Sequence, residues 1–182
     1  MPIQTTYPFT HTVGAEGLRF GVGPTEVITC YSEVNIYPGR AVAFTTTYAE
    51  DPSGRPRVIH PTAVTGFTLA GIVEKKRNEE LKGELDGFGV VNTTQEMYYP
   101  AGTPIPVMIK GVLYVYVEGA VNPTDAVFTR AVSNGANTIL GRFRLDADGS
   151  EPATAFAFPG ARFTEAIGAA GLVPLRVNMP TA

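Results

Sequence analysis

"GVLYVYVEG", residues 111–119, decides how this chain is read. From Val112 to Val117 every residue is apolar or aromatic, a density of Val, Leu and Tyr that suits a β-strand. Successive strand side chains point to opposite faces. One face therefore carries Leu113, Val115 and Val117, an ordinary core face, and the other carries Val112, Tyr114 and Tyr116. Fully burying a large apolar side chain is worth roughly 1.5–3 kcal/mol, so a second face left in water wastes much of the driving force for folding. Either the strand is central, with its own chain on both sides, or the second face meets another subunit. Tyrosine suits the latter, because its ring is apolar and its hydroxyl can reach a wet rim.

Outward from this strand, the sequence is chopped into short runs. The 20 glycines and 15 prolines are spread along the chain rather than pooled in one linker, the punctuation of an all-β fold. "TEVITCYSEVNIY", "RAVAFTTTY" and "AVTGFTLAGIVE" read as strands on the N-terminal side. Lys110-Gly111 either closes a hairpin or forms a bulge in one long strand. Beyond it, Asn134-Gly135 and Asp148-Gly149 are turn dipeptides. "LVPLRVN" near the end alternates as a final strand, and Gly168, Gly171 and Pro174 argue against a helix in the alanine-containing tail. The mixed-sign run from Glu74 to Asp86 is interrupted by Gly83 and followed by Gly87, and reads as a solvated loop. The expected fold is all-β, an antiparallel sandwich or barrel with little helix, in one domain spanning 25–182. Residues 1–24, with Thr, Gly, Pro and isolated aromatics, read as an extended N-terminal arm, with disorder the alternative.

The 182 residues suffice for one real core. Charged residues make up 17% of the chain, below the roughly one quarter usual in soluble domains, which suits either much buried surface or an exterior that meets other protein. A net charge of −3 supplies no basic stripe for duplex binding, so nucleic acid is not an expected partner. No apolar run approaches the ~18 residues of a membrane helix, and the N-terminal segment lacks the pattern of a secretory signal. The expectation is a chain made in the cytoplasm that either stays there or is released by lysis.

No stretch carries a chemical signature. Cys30, the sole cysteine, reads as a small buried strand residue, and a nucleophilic role would need a histidine partner. His11 and His60 sit in no metal or catalytic motif. "DADG" at 146–149 hints at a calcium loop, but Glu151 falls too soon to be its terminal bidentate ligand. "GVGPTE" at 21–26 lacks the third glycine and helix of a phosphate loop. No catalytic, cofactor or metal residues are expected. The candidate protein-contact residues are Tyr7, Phe9, Tyr98, Tyr99, Val112, Tyr114 and Tyr116.

The order of segments is itself informative. "YPGRAVAF" is followed by "GFTLAGIVE", then "YYPAGTPIPVMIKGVLYVYVEGAV", "DAVFTRAVSNG", "LGRFRLDADG" and a closing "GLVPLRVNMP". Over about residues 34–180 this succession resembles the structural cement, or capsid decoration, proteins of tailed bacteriophages. The resemblance implies a small β-rich, non-enzymatic virion protein on the outer surface of the head. It implies a homotrimer that clamps neighbouring major capsid protein subunits, and no catalytic residues to transfer. A tail or baseplate module is the nearest alternative, and a β-sandwich enzyme or carbohydrate-binding module a more distant one.

Overall fold

The computed structural model describes residues 16–21, 23–45, 51–63, 65–75, 98–148 and 153–179. Among them there is no helix. The strands are β1 (Glu26–Ser32), β2 (Ala41–Phe44), β3 (Arg57–Ile59), β4 (Leu69–Val73), β5 (Pro104–Val117), β6 (Phe128–Arg130), β7 (Phe143–Arg144), β8 (Ala155–Ala157), β9 (Ala161–Phe163) and β10 (Gly171–Asn178). The expected final strand is β10.

Five of them close a barrel in the order β1-β3-β2-β4-β5, with β5 returning to β1. Closure removes the exposed sheet edges that would otherwise invite mispairing. Two pairings are parallel, β1 with β3 and β5 with β7. These correct the expectation of a purely antiparallel sheet. A parallel pair needs a crossover connection rather than a tight turn, and β2 lies within the connection from β1 to β3.

At 14 residues β5 is by far the longest strand, about 47 Å at the usual rise per residue. Its first half closes the barrel between β1 and β4. Its second half runs beyond β1 and pairs with β10 from Lys110 to Val117. The strand therefore serves two cores. The barrel core holds Cys30, Val42, Val58, Ile105 and Val107, with Ile36 and Tyr99. The second core gathers Leu113, Val115 and Val117 with Phe143, Phe158, Phe163 and Leu175.

Lys110-Gly111 does not close a hairpin. Against β1 the register passes from Val27↔Met108 to Glu26↔Lys110, leaving Ile109 as an extra residue in β5. A one-residue insertion flips every later side chain to the other face. Met108 belongs to the second core. Without the flip its face would continue through Lys110, Val112, Tyr114 and Tyr116; with it, Leu113, Val115 and Val117 go inside at 0% exposure. Gly111 follows at φ 145°, and a Cβ there would lie 2.7 Å from Met108 Sδ and 3.1 Å from Thr25 Cγ2. Glycine permits both that backbone and that approach.

Residues 16–20 lie along β5. Gly17 N–H donates to Tyr114 O (2.8 Å), Tyr114 N–H to Leu18 O (2.8 Å) and Phe20 N–H to Val112 O (2.9 Å). On the other edge, Tyr114 stands opposite Pro174 of β10, where no ladder N–H is required of the proline.

Candidate protein-contact surface

The second face of β5 is neither enclosed nor bare. Val112, Tyr114 and Tyr116 are each half-buried. Across the antiparallel pair they stand opposite Arg176, Pro174 and Leu172, and opposed residues share a face. Two side chains from elsewhere cover part of it. Phe20 packs edge-on against the Tyr114 ring, centroids 5.3 Å apart, and the Arg142 guanidinium sits 4.1 Å from the Tyr116 centroid. Such ring contacts fix the aromatic groups in place while leaving surface accessible.

The remaining candidates divide. Tyr7 and Phe9 lie outside the described residues. Tyr98 is half-buried beside Tyr37, centroids 5.7 Å apart. Tyr99 is 4% exposed in the barrel core. It is fixed by backbone bonds to Ile36 and by its hydroxyl donating to Glu74 O at 3.0 Å. The structure thus places Tyr99 among the residues that hold the barrel and not on the outer face. Adjacent residues of a strand-like segment alternate sides, so the pair Tyr98-Tyr99 cannot present both rings to one surface.

Sequence reasoning missed a charge cluster at the end of β5. The Arg130 side chain is fully buried, and its donors are placed on five acceptors. Nε and Nη2 donate to Glu118 Oε1 and Oε2, both at 2.6 Å. Nη2 also reaches Asp148 Oδ2 at 2.6 Å, and Nη1 reaches Val132 O and Thr154 Oγ1 at 3.1 Å each. Arg144 joins from the rim, 2.9 Å from Asp148 and 3.3 Å from Glu118, while its Nη2 holds Asp146 at 2.6 Å. Burial pushes the Asp148 carboxyl up, but hydrogen bonds from Arg130, Thr154 and Asn134 and the charge of Arg144 outweigh it, taking the pKa to about 2. The acidic side chains of "DADG" are thus occupied by guanidinium groups. The available signal was Glu118 itself, an acid directly after six apolar residues, which needs a cation nearby. Arg130 and Asp148 come from distant segments and meet only in space.

Of the residues weighed for chemistry, Cys30 and His60 are enclosed and His11 lies outside the described residues. Burial pushes the Cys30 thiol up to about 12, so at neutral pH it is protonated and not nucleophilic. Burial, with the Arg40 charge, lowers His60 to about 4 against a hydrogen bond to Ala41 O. His60 lies parallel to Tyr37, whose other contacts are Arg40 and Tyr98.

Over its whole length the chain is similar to one from "The capsid of Myoviridae Phage XM1", at 22% identity and a TM-score of 0.59, with 98% of each chain covered. A weaker similarity, at 11% identity and a TM-score of 0.41, is to the head fiber gp8.5 N base in bacteriophage phi29, covering 87% of this chain and 100% of that one. No curated protein matches. The family described as "Structural cement protein (E217 gp24/Pam3 gp6)" matches residues 3–178, a span that takes in the N-terminal segment as well as both cores. The chain belongs to the phage structural cement protein family.

Proposed function

We propose that this head cement protein binds the outer surface of the capsid as a homotrimer, bridging neighbouring major capsid protein subunits, and that the second face of β5 is its contact surface. The observation that carries this reading is the half-covered row of Val112, Tyr114 and Tyr116, continued by Leu172 on β10. Tyrosine with aliphatic neighbours, set on a rigid sheet, is the composition of a protein-contact core. A partner that binds only the assembled lattice stabilises it by mass action. Three linked copies engage through a high effective concentration, so individually modest contacts suffice. An acidic chain suits the outside of a DNA-filled shell.

The test is co-sedimentation of the purified protein with undecorated heads, with light scattering on the protein alone. The wild-type protein is expected as a trimer that binds heads and raises the temperature at which they release DNA. Tyr116→Asp is expected to stay folded, because the side chain belongs to neither core, and to lose head binding or self-association. A monomer that leaves heads unbound refutes the reading, and so does a folded Tyr116→Asp protein that behaves as wild type.

A further inference from the structure

Most arginines described here are held by carboxylates. Arg19 is paired with Glu74, Arg55 with Asp51, Arg57 with Glu33, and Arg130 and Arg144 with the cluster at Glu118 and Asp148. Lys110, Arg162 and Arg176 differ: among the described residues no carboxylate lies within ion-pair distance of any of them, although Glu26 of β1 stands opposite Lys110 in the sheet register. The sheet register puts all three on one face. Lys110 stands opposite Asn178, and Arg176, two residues before Asn178, stands opposite both Val112 and Arg162. Arg176 and Arg162 are thus like charges directly across a strand pair, an arrangement that costs folding free energy. All three side chains are exposed. Their face is the one that carries Val112, Tyr114, Pro174 and Leu172. Beside them opens a cleft of about 490 Å³, lined by Arg19, Phe20, Lys110, Val112, Arg176 and Asn178 among others, with no acidic residue among the described residues that line it.

We infer that this face receives an extended acidic segment of the capsid shell protein, its carboxylates against Lys110, Arg162 and Arg176 and an apolar side chain in the cleft beside Val112 and Phe20. The inference rests on the reading that the second face of β5 contacts the shell. Charge complementarity carries it: Arg162 and Arg176, with no carboxylate paired to them among the described residues, repel each other until an anion arrives, and Lys110 extends their row on a chain of net charge −3. Three cations set among apolar side chains fit a polypeptide better than nucleic acid, which calls for a broad basic stripe. Exposed ion pairs of this kind act mainly through encounter and specificity, and salt screens them.

The experiment measures binding of the full-length protein to undecorated heads at about 50 and about 500 mM NaCl, a range over which screening becomes strong. The neutral variant Lys110→Gln/Arg162→Gln/Arg176→Gln is expected to bind about tenfold more weakly at low salt, as the loss of three exposed ion pairs allows, with a shallower salt dependence. The charge-keeping variant Lys110→Arg/Arg162→Lys/Arg176→Lys is expected to stay within about threefold of wild type. Equal binding by wild type and the neutral variant at low salt overturns this inference and leaves capsid binding standing. Failure of wild type to bind heads overturns both. Retardation of duplex DNA by wild type, lost in the neutral variant while head binding persists, assigns the cations to nucleic acid and overturns the inference. If the triple variant melts early, Arg176→Gln alone supplies the comparison, with about a threefold loss expected and no loss refuting it.

Discussion

Arg130→Met replaces a fully buried guanidinium with an apolar chain of similar reach. The substitution removes five hydrogen bonds at once, two of them the bidentate pair to Glu118 at 2.6 Å. Glu118, with its side chain 5% exposed, is left with Arg144 at 3.3 Å, and Asp148, 19% exposed, keeps Arg144 at 2.9 Å. Removing one partner of a buried pair costs about 3–5 kcal/mol, because the remaining charge is stranded. Here the lower end applies, about 3 kcal/mol, since Arg144 remains and Asp148 is partly wetted. Replacing both partners behaves differently, because no buried charge is then left behind. Arg130→Met with Glu118→Leu is expected to recover at least about 1 kcal/mol of the single variant's loss, Asp148 retaining Arg144. Asp146→Asn, at a side chain 55% exposed, is expected to cost under about 1 kcal/mol. Urea titration at one fixed protein concentration, with unchanged m-values, reads all three. If Arg130→Met costs no more than Asp146→Asn, or the double variant is less stable than the single, the stranded-charge account is refuted.

Two further perturbations probe the barrel and the bulge. His60 is buried with its pKa lowered to about 4, so between pH 6.5 and 4 the unfolded chain binds a proton that the folded one refuses. Stability is therefore full above about pH 6.5 and falls as pH drops toward 4, by up to about 3 kcal/mol from this group. His60→Gln should flatten that slope in urea titrations across the window, and an unchanged slope would assign the pH dependence elsewhere. Gly111→Ala puts a Cβ 2.7 Å from Met108 Sδ at φ 145°, and should cost about 1–3 kcal/mol by thermal or urea unfolding. A neutral result would mean that the bulge relaxes without strain.

Much of the strand content was legible because it rests on local chemistry. β1, β2, β4 and β10 fall within runs of β-branched and apolar residues bounded by Gly and Pro. The turn at Asn134-Gly135 has its glycine at φ 56° and a reciprocal Asn134–Asn137 bridge. The two faces of 112–117 also separate as alternation requires, Leu113, Val115 and Val117 going inside. What local sequence could not decide was the register. A hairpin and a bulge at Lys110-Gly111 use the same residues, and only pairing with β1, some eighty residues earlier in the chain, selects the bulge. Barrel closure and the parallel pairings are equally non-local. The same limit hid the Arg130 cluster, and it explains Tyr99: an aromatic residue beside a turn reads as surface until the barrel is closed around it.

The bulge at Ile109 also links the fold to the proposed contact surface. It sends Leu113, Val115 and Val117 into the second core and leaves Val112, Tyr114 and Tyr116 outside. The outward face is thus held from behind by a core built on Phe143, Phe158 and Phe163. On one edge β10 pairs with eight consecutive residues of β5, and on the other residues 17–20 bond to it. A surface fixed in this way loses little conformational freedom when a partner arrives, so most of the contact free energy appears as affinity. For a protein whose task is to hold a strained lattice together this matters, since a soft contact surface would yield before the lattice did. The half-covered tyrosines are then the consequence of one inserted residue, and under the proposed contact role the rigidity behind them suits them to bear load.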